Sequence, residues 1–235
     1  MARAKYERLW RLTPHPKNPG AEEHLRKERC LVLGQTWGLH RCQNLVDLGC
    51  GDGRISLLFA SSSTQVTGLD IAQNALSRFS SPDVTRLLGS MPDTTLPDKA
   101  FEGVLCIDLL TELDPRDYRL AISEMARILV PQGLLLFSCP IDCRTDQPLA
   151  LLRQLLTTEF ELLEEKPSHH RLMQSLTKFT TKLPSWFPGK KSLLSQLTHN
   201  QSWLLRCEYL SSLFWGEQGV THLLLCARKK TLPSL

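Results

Sequence analysis

The spacing of hydrophobic positions changes several times along the chain, and each change marks an element. Tyr6, Leu9 and Trp10 recur at helical spacing, and Pro14, Pro16, Pro19 and Gly20 end that pattern. Leu25, Leu31, Val32 and Leu39 predict a second helix over residues 21–39. From Asn44 onward short, nearly continuous apolar runs alternate with helical ones. The runs predict strands over 44–48, 65–69, 85–88, 101–107, 133–138, 160–164 and 221–227. Helices are predicted over 54–60, 71–79, 115–129 and 148–158. Strands that alternate with helices form βαβ units, so the fold class is α/β, a seven-stranded, mostly parallel sheet with helices on both faces.

Residues 167–219 break the alternation. Leu172, Leu176, Phe179 and Leu183 form one helical stripe, 184–189 make an aromatic, proline-flanked turn, Leu193, Leu194 and Leu197 start another helix, and 203–215 is apolar again. A connection of this length is several times the usual one. It predicts a helical insertion or lid before the last strand. The organisation read from the sequence is a helical cap over 1–40, an α/β domain over 41–166, the insertion over 167–219, and a last strand with a basic tail over 220–235.

The informative segment is Asn44-Leu-Val-Asp-Leu-Gly-Cys-Gly-Asp-Gly-Arg54, a buried strand that runs into Gly49, Gly51 and Gly53 and then into a helix. Alternate glycines let the backbone take positive φ and let a ligand lie against it. At the carboxyl end of a strand in an open α/β sheet, such a turn is a ligand site. The next strand ends at Asp70, where a carboxylate is placed to accept both hydroxyls of a ribose. A dinucleotide fingerprint would need glycine at Arg54, and no Gly-Lys-Ser/Thr follows for a phosphate loop. The pattern is instead D-x-G-x-G-x-G from Asp47, whose acidic residue suits a ligand with an ammonium group and no pyrophosphate.

These residues resemble the class I S-adenosylmethionine-dependent methyltransferases, whose fold is Rossmann-like, and among them the small-molecule, type 11-like subgroup that includes quinone-precursor enzymes. The resemblance covers residues 44–139. Asp47-Leu-Gly-Cys-Gly-Asp-Gly is similar to the family's first motif and Gly68-Leu-Asp-Ile to its second, with Asp70 as ribose ligand. Gly89-Ser-Met-Pro resembles the adenine-contacting stretch, Val104-Leu-Cys-Ile-Asp the fourth strand on the methionine side, and Ala126-Arg-Ile-Leu-Val-Pro-Gln-Gly the lead into strand five. Two positions depart from the family: Ser90 stands where an acidic residue is common, and Gln132 replaces the first glycine of Pro-Gly-Gly. The resemblance implies S-adenosylmethionine as cofactor and S-adenosylhomocysteine as product. It implies cofactor contacts at Asp47, Gly49, Cys50, Gly51, Asp70, Ile71, Ser90, Met91 and Cys106.

Methyl transfer from a sulfonium is an in-line displacement that needs alignment and water exclusion, and a base only when the nucleophile carries a proton near its working pKa. The sequence offers Asp108, Glu112, His169 and His170 as candidate bases, each with a plainer reading as helix start or surface. No [DN]-P-P-[YFW] or Pro-Cys follows strand four, and Cys139 reads as a strand-end residue.

Composition adds two constraints. Eight cysteines without a C-x-x-C, three of them in apolar runs, argue for buried thiols in a reducing cytoplasm, not a disulfide framework or a metal site. The charged start has no apolar leader and no membrane span is visible, so a cytoplasmic protein is expected. Residues 35–165 carry ten Lys/Arg against eighteen Asp/Glu, whereas 166–219 carry seven against two. An aromatic, positively rimmed cap would suit a flat or lipophilic small-molecule acceptor with an acidic group, and peripheral membrane contact is open. RNA is a lesser alternative as substrate, as is protein, and DNA is not expected; a non-catalytic module that keeps the fold is the remaining rival.

Overall fold

The computed structural model describes residues 2–12, 21–79, 81, 83–141, 147–168, 182, 200–216 and 220–231. The strands are β1 (Asn44–Leu48), β2 (Gln65–Asp70), β3 (Val84–Leu88), β4 (Phe101–Ile107), β5 (Leu129–Pro140), β6 (Phe160–Ser168) and β7 (His222–Lys229). The helices are α1 (Ala2–Leu12), α2 (Ala21–Trp37), α3 (Ser56–Phe59), α4 (Gln73–Leu76), α5 (Tyr118–Ile128), α6 (Gln147–Glu159) and α7 (Gln201–Trp215). The strands form one sheet in the order β3-β2-β1-β4-β5-β7-β6. Pairing is parallel from β3 across to β5, and β7 runs antiparallel to both its neighbours. The strand order reverses between β1 and β4, which is where an open α/β sheet leaves a crevice.

The sheet is buried on both faces because successive residues point to opposite sides. Leu45, Leu105, Leu134 and Leu136 pack with Leu33 of α2, Phe59 of α3, and Leu76 and Phe79 on one side. Val46, Val104, Leu135 and Phe137 pack with Ile122 and Met125 of α5 and Leu156 of α6 on the other. Near-continuous apolar strands serve both layers, as the sequence pattern predicts.

Several boundaries differ from the sequence reading, for local reasons. The helix expected over 54–60 contracts to Ser56–Phe59 because 49–55 are spent on the glycine turn, whose Gly53 takes φ 80°. The one expected over 71–79 contracts to Gln73–Leu76. Ala72 is extended, and its amide is taken by the Asp70 carboxylate. The Pro131–Gly133 turn is instead an irregularity within β5, where the register against β4 shifts and Gln132 adopts φ 63°, a conformation a glycine would hold without strain. β6 runs on to Ser168, and α7 occupies the last apolar stretch of the 167–219 segment. The stripe over 172–183, the aromatic turn and Leu193–Leu197 lie outside the described residues.

α7 is fastened to α2 by a two-pronged ion pair, in which Arg29 donates to both Glu208 carboxylate oxygens at 2.9 and 2.6 Å. Among the described residues no helix is long and apolar enough to cross a membrane.

The glycine turn gives a test of close packing. Gly53 and Gly38 both hold left-handed backbone, but a Cβ on Gly53 would lie 2.2 Å from the Phe79 ring, whereas one on Gly38 meets nothing within 4 Å. Backbone strain alone costs about 1–2 kcal/mol, and overpacking adds about 1–3 kcal/mol. Gly53→Ala is therefore expected to lower the urea midpoint clearly more than Gly38→Ala. Equal losses would show that Phe79 does not pack against the turn.

Candidate functional site

β1 and β2 are adjacent and parallel, with Leu48 opposite Leu69, so their carboxyl ends emerge side by side. The amides of Gly49 and Cys50 both donate to the Leu69 carbonyl, at 2.7 and 3.1 Å, which pins the glycine turn to β2. Beyond this point the two chains part and Asp70 fills the gap. One of its oxygens accepts the Gly51 amide at 2.9 Å and the other accepts the Ala72 amide at 2.8 Å. Two donors facing two oxygens demand a carboxylate, because an amide would turn its own NH₂ towards one of them. The Ile71 amide adds a third backbone donor to this carboxylate. Burial raises the Asp70 pKa, and the backbone donors oppose that rise.

Asp70 lines a cavity of about 470 Å³ at the carboxyl ends of the strands. Gly49 and Gly51 follow β1, Ile71 follows β2, Ser90 and Met91 follow β3, and Asp108 and Leu109 follow β4; all line it. The volume is within the range of small-molecule sites. α1 forms the far wall, with Tyr6, Leu9 and Trp10. The Trp10 ring lies so close over Gly51 that a Cβ there would come within 2.9 Å of it. α1 is tied down on both sides. Glu7 accepts the amides of Gln73 and Asn74 at 2.8 and 3.0 Å, and the Tyr6 hydroxyl donates to Glu112.

Of the cofactor contacts implied by the sequence, Gly49, Gly51, Asp70, Ile71, Ser90 and Met91 share this cavity. Asp47, Cys50 and Cys106 are not among its lining residues. Asp47 is buried within β1 and accepts the Ser56 hydroxyl at 2.6 Å; burial pushes its carboxyl up to about 7. Cys50 packs its sulfur against Gly68, and Cys106 lies in the core shared with α5 and α6. The seven described cysteines are buried free thiols, and burial pushes Cys139 up to about 12, far from the thiolate that a nucleophile needs.

Asp108 and Glu112 both line the cavity, whereas His169 and His170 lie outside the described residues. Asp108 stands in left-handed backbone, φ 58°. It accepts the Ser138 hydroxyl at 2.6 Å, contacts His222 Nε2 at 2.7 Å and pairs with Arg26 of α2. Burial would raise its pKa, but the His222 and Ser138 hydrogen bonds and the Arg26 charge outweigh it and hold the carboxyl at about 2. A group so held is a poor proton acceptor near neutral pH. Glu112 is exposed at the cavity mouth, beside Tyr6 and 3.5 Å from Lys5.

The sequence placed the N-terminal helices, with Trp10, over the carboxyl ends of the strands; it missed Tyr6, Leu109, Asp114 and Asp117 as lining residues, and Arg26 and His222 as partners of Asp108. The helical stripe of Tyr6 and Trp10 was legible, but not which of its residues would face the cavity.

The site accords with an adenosyl ligand on two observations: a two-oxygen acceptor at the strand end that lines the cavity, and apolar Met91 and Leu69 beside it. Comparison with known proteins points the same way. Residues 46–137 match the family model described as a methyltransferase domain. The chain is 33% identical over 119 residues to a malonyl-[acyl-carrier protein] O-methyltransferase of Serratia marcescens, covering 47% of this chain and 42% of that protein. It is 26% identical over 176 residues to a demethylmenaquinone methyltransferase of Tropheryma whipplei (strain Twist), covering 71% and 67%. The chain thus spans about two fifths of the first curated relatives it matches. Among solved structures, the [4+2]-cyclase SpnF superposes with TM-score 0.60 at 19% identity over 88% of this chain and 81% of that one.

The state of Asp108 is open to direct test. Its folded pKa lies below the ordinary 3.8, so its stabilisation is complete above about pH 4 and is lost as pH falls through about 2. The shift corresponds to about 2 kcal/mol. Asp108→Asn is expected to lower the urea midpoint at pH 7, with the gap to wild type narrowing at pH 3. A pH-independent gap would mean that the carboxylate is not held by its three partners.

On glycine turn and domain match together, residues 46–137 are similar to the methyltransferase domain family, and the sheet has the Rossmann-like α/β order.

Proposed function

We propose that the chain transfers a methyl group from S-adenosylmethionine to a small organic acceptor. The observation that carries this reading is Asp70, a buried carboxylate fixed by the Gly51 and Ala72 amides at the wall of a cavity. Two vicinal hydroxyls are the ligand chemistry that such a group accepts. When bound, S-adenosylmethionine supplies a methyl carbon made electrophilic by its sulfonium. Met91 and Leu69 offer apolar contact to the adenine, and Ser90 a hydroxyl to its edge. Trp10, Leu109 and Leu113 exclude water from the line of transfer.

The rest of the lining narrows the acceptor. Asp108, Glu112, Asp114 and Asp117 face the cavity, and among the described lining residues there is no Lys, Arg or His. The acceptor we infer is neutral or cationic and flat enough to lie between Tyr6, Trp10 and Leu113. A phenolic quinone precursor, as the name of the demethylmenaquinone methyltransferase relative implies for that protein, meets this description. An acceptor with an acidic group, the other half of the sequence expectation, has no countercharge among these residues. Where the acceptor must shed a proton, Glu112 is the better placed of the two candidate carboxylates, because Asp108 is committed to Arg26, His222 and Ser138.

A shared fold does not fix a reaction, as the cyclase shows. Binding and turnover therefore need separate measurements. Calorimetry with S-adenosylhomocysteine should show binding that Asp70→Asn weakens by about 1–3 kcal/mol, as expected when ligand hydroxyls lose their acceptor. Incubation of S-adenosylmethionine with phenols, amines and carboxylic acids should release S-adenosylhomocysteine with the first two classes and not the third. Absence of binding would overturn the cofactor assignment. Binding without turnover on any acceptor would favour the non-catalytic module.

A further inference from the structure

Residues 89–100 join β3 to β4 without helix or strand, yet they carry Ser90 and Met91 of the cavity wall. An irregular segment places side chains accurately only where its backbone is held from outside. The near end is held by β2, since the Gly89 amide donates to the Asp70 carbonyl at 3.0 Å. The far end is held by α5. Glu124, buried in the middle of that helix, accepts the Thr94 amide at 3.0 Å and the Thr94 hydroxyl on the same oxygen. Thr94 is buried too, and its hydroxyl oxygen accepts the Leu96 amide at 3.2 Å.

One turn further along α5, Arg127 grips both Glu124 oxygens, from Nε at 2.7 Å and from a terminal nitrogen at 2.8 Å. A bidentate, charge-assisted pair is strong and directional, so it fixes how Glu124 faces Thr94. The same guanidinium donates to the Leu96 carbonyl at 2.7 Å and pairs with the exposed Asp98. Arg127 is the largest of the effects that hold the Glu124 carboxyl at about 2, so this acceptor stays ionised throughout the neutral range. None of Thr94, Glu124 and Arg127 lines the cavity.

We propose that Glu124 and Arg127 are positioning residues for the nucleoside end of the cofactor, acting through Thr94 on the wall that Ser90 and Met91 form. Met91 stands three residues before the clamped Thr94, a reach of about 11 Å at most, and two residues after the pinned Gly89. A wall that is already fixed spares the bound state the cost of ordering a loop. The proposal rests on the reading of the cavity as an adenosyl site.

Calorimetry with S-adenosylhomocysteine, read beside the Tm of the unliganded chain, tests it. Thr94→Val keeps the amide and the side-chain shape but removes the hydroxyl, and about tenfold weaker binding is expected. Thr94→Ser keeps both donors and is expected to bind as wild type does. A clamp that served stability alone would lower Tm in Thr94→Val and leave affinity unchanged. That result overturns the proposal, as does an equal loss of affinity in Thr94→Ser. Should Thr94→Val not fold, Arg127→Lys is read in its place, since it keeps the charge and removes the Nε donor. Weaker binding is again expected, and unchanged binding overturns the proposal. If wild type does not bind S-adenosylhomocysteine, the adenosyl reading fails and the proposal with it. Wild-type binding that neither Thr94→Val nor Arg127→Lys alters sinks the clamp alone.

Discussion

The site depends on one carboxylate that satisfies two backbone amides from different segments. Gly51 belongs to the turn after β1 and Ala72 to the turn after β2, and the oxygens of Asp70 bridge them. Two strands that diverge at their carboxyl ends leave orphan amides, and an unpaired buried amide costs about 1–3 kcal/mol. Asp70 meets both demands and lines the cavity. Structure and the proposed binding thus draw on the same group, whose pKa burial raises.

Around this bridge the molecule arranges a wall and a brace. α1 closes the cavity by laying Trp10 over a glycine and by engaging α4 through Glu7 and the 110–117 region through Tyr6. α2 braces the opposite end by pairing Arg26 with Asp108, and it also receives α7 through Arg29. Asp108 holds a left-handed conformation that Asp tolerates better than most residues, and its three partners come from α2, β5 and β7. The carboxylate nearest the expected reaction is therefore a fixed feature of the wall, not a free base.

The parts legible in the sequence are those governed by short-range pattern. Asn44–Leu48 and Phe101–Ile107 are exact in extent because buried parallel strands leave continuous apolar runs bounded by polar residues. Asp70 and the three glycines were legible because left-handed backbone and a carboxylate bridging two turn amides restrict residue type. The rest depends on contacts remote in sequence. His222 reaches Asp108 across 114 residues and Arg26 across 82, and neither spacing leaves a trace in the chain. Asp47 and Cys106 read as ligand contacts from their motifs. In the fold Cys106 lies in a core and Asp47 is bonded to Ser56, and neither lines the cavity. α3 and α4 are shorter than the helices expected over 54–60 and 71–79, because side-chain and turn geometry, not apolar period, sets where they begin.

The most direct measurement is a crystal structure of the chain with S-adenosylhomocysteine. The account predicts both ribose hydroxyls within hydrogen-bonding distance of the Asp70 carboxylate while that carboxylate still accepts the Gly51 and Ala72 amides. A nucleoside bound elsewhere, or an Asp70 that must release either amide to reach the sugar, would contradict it.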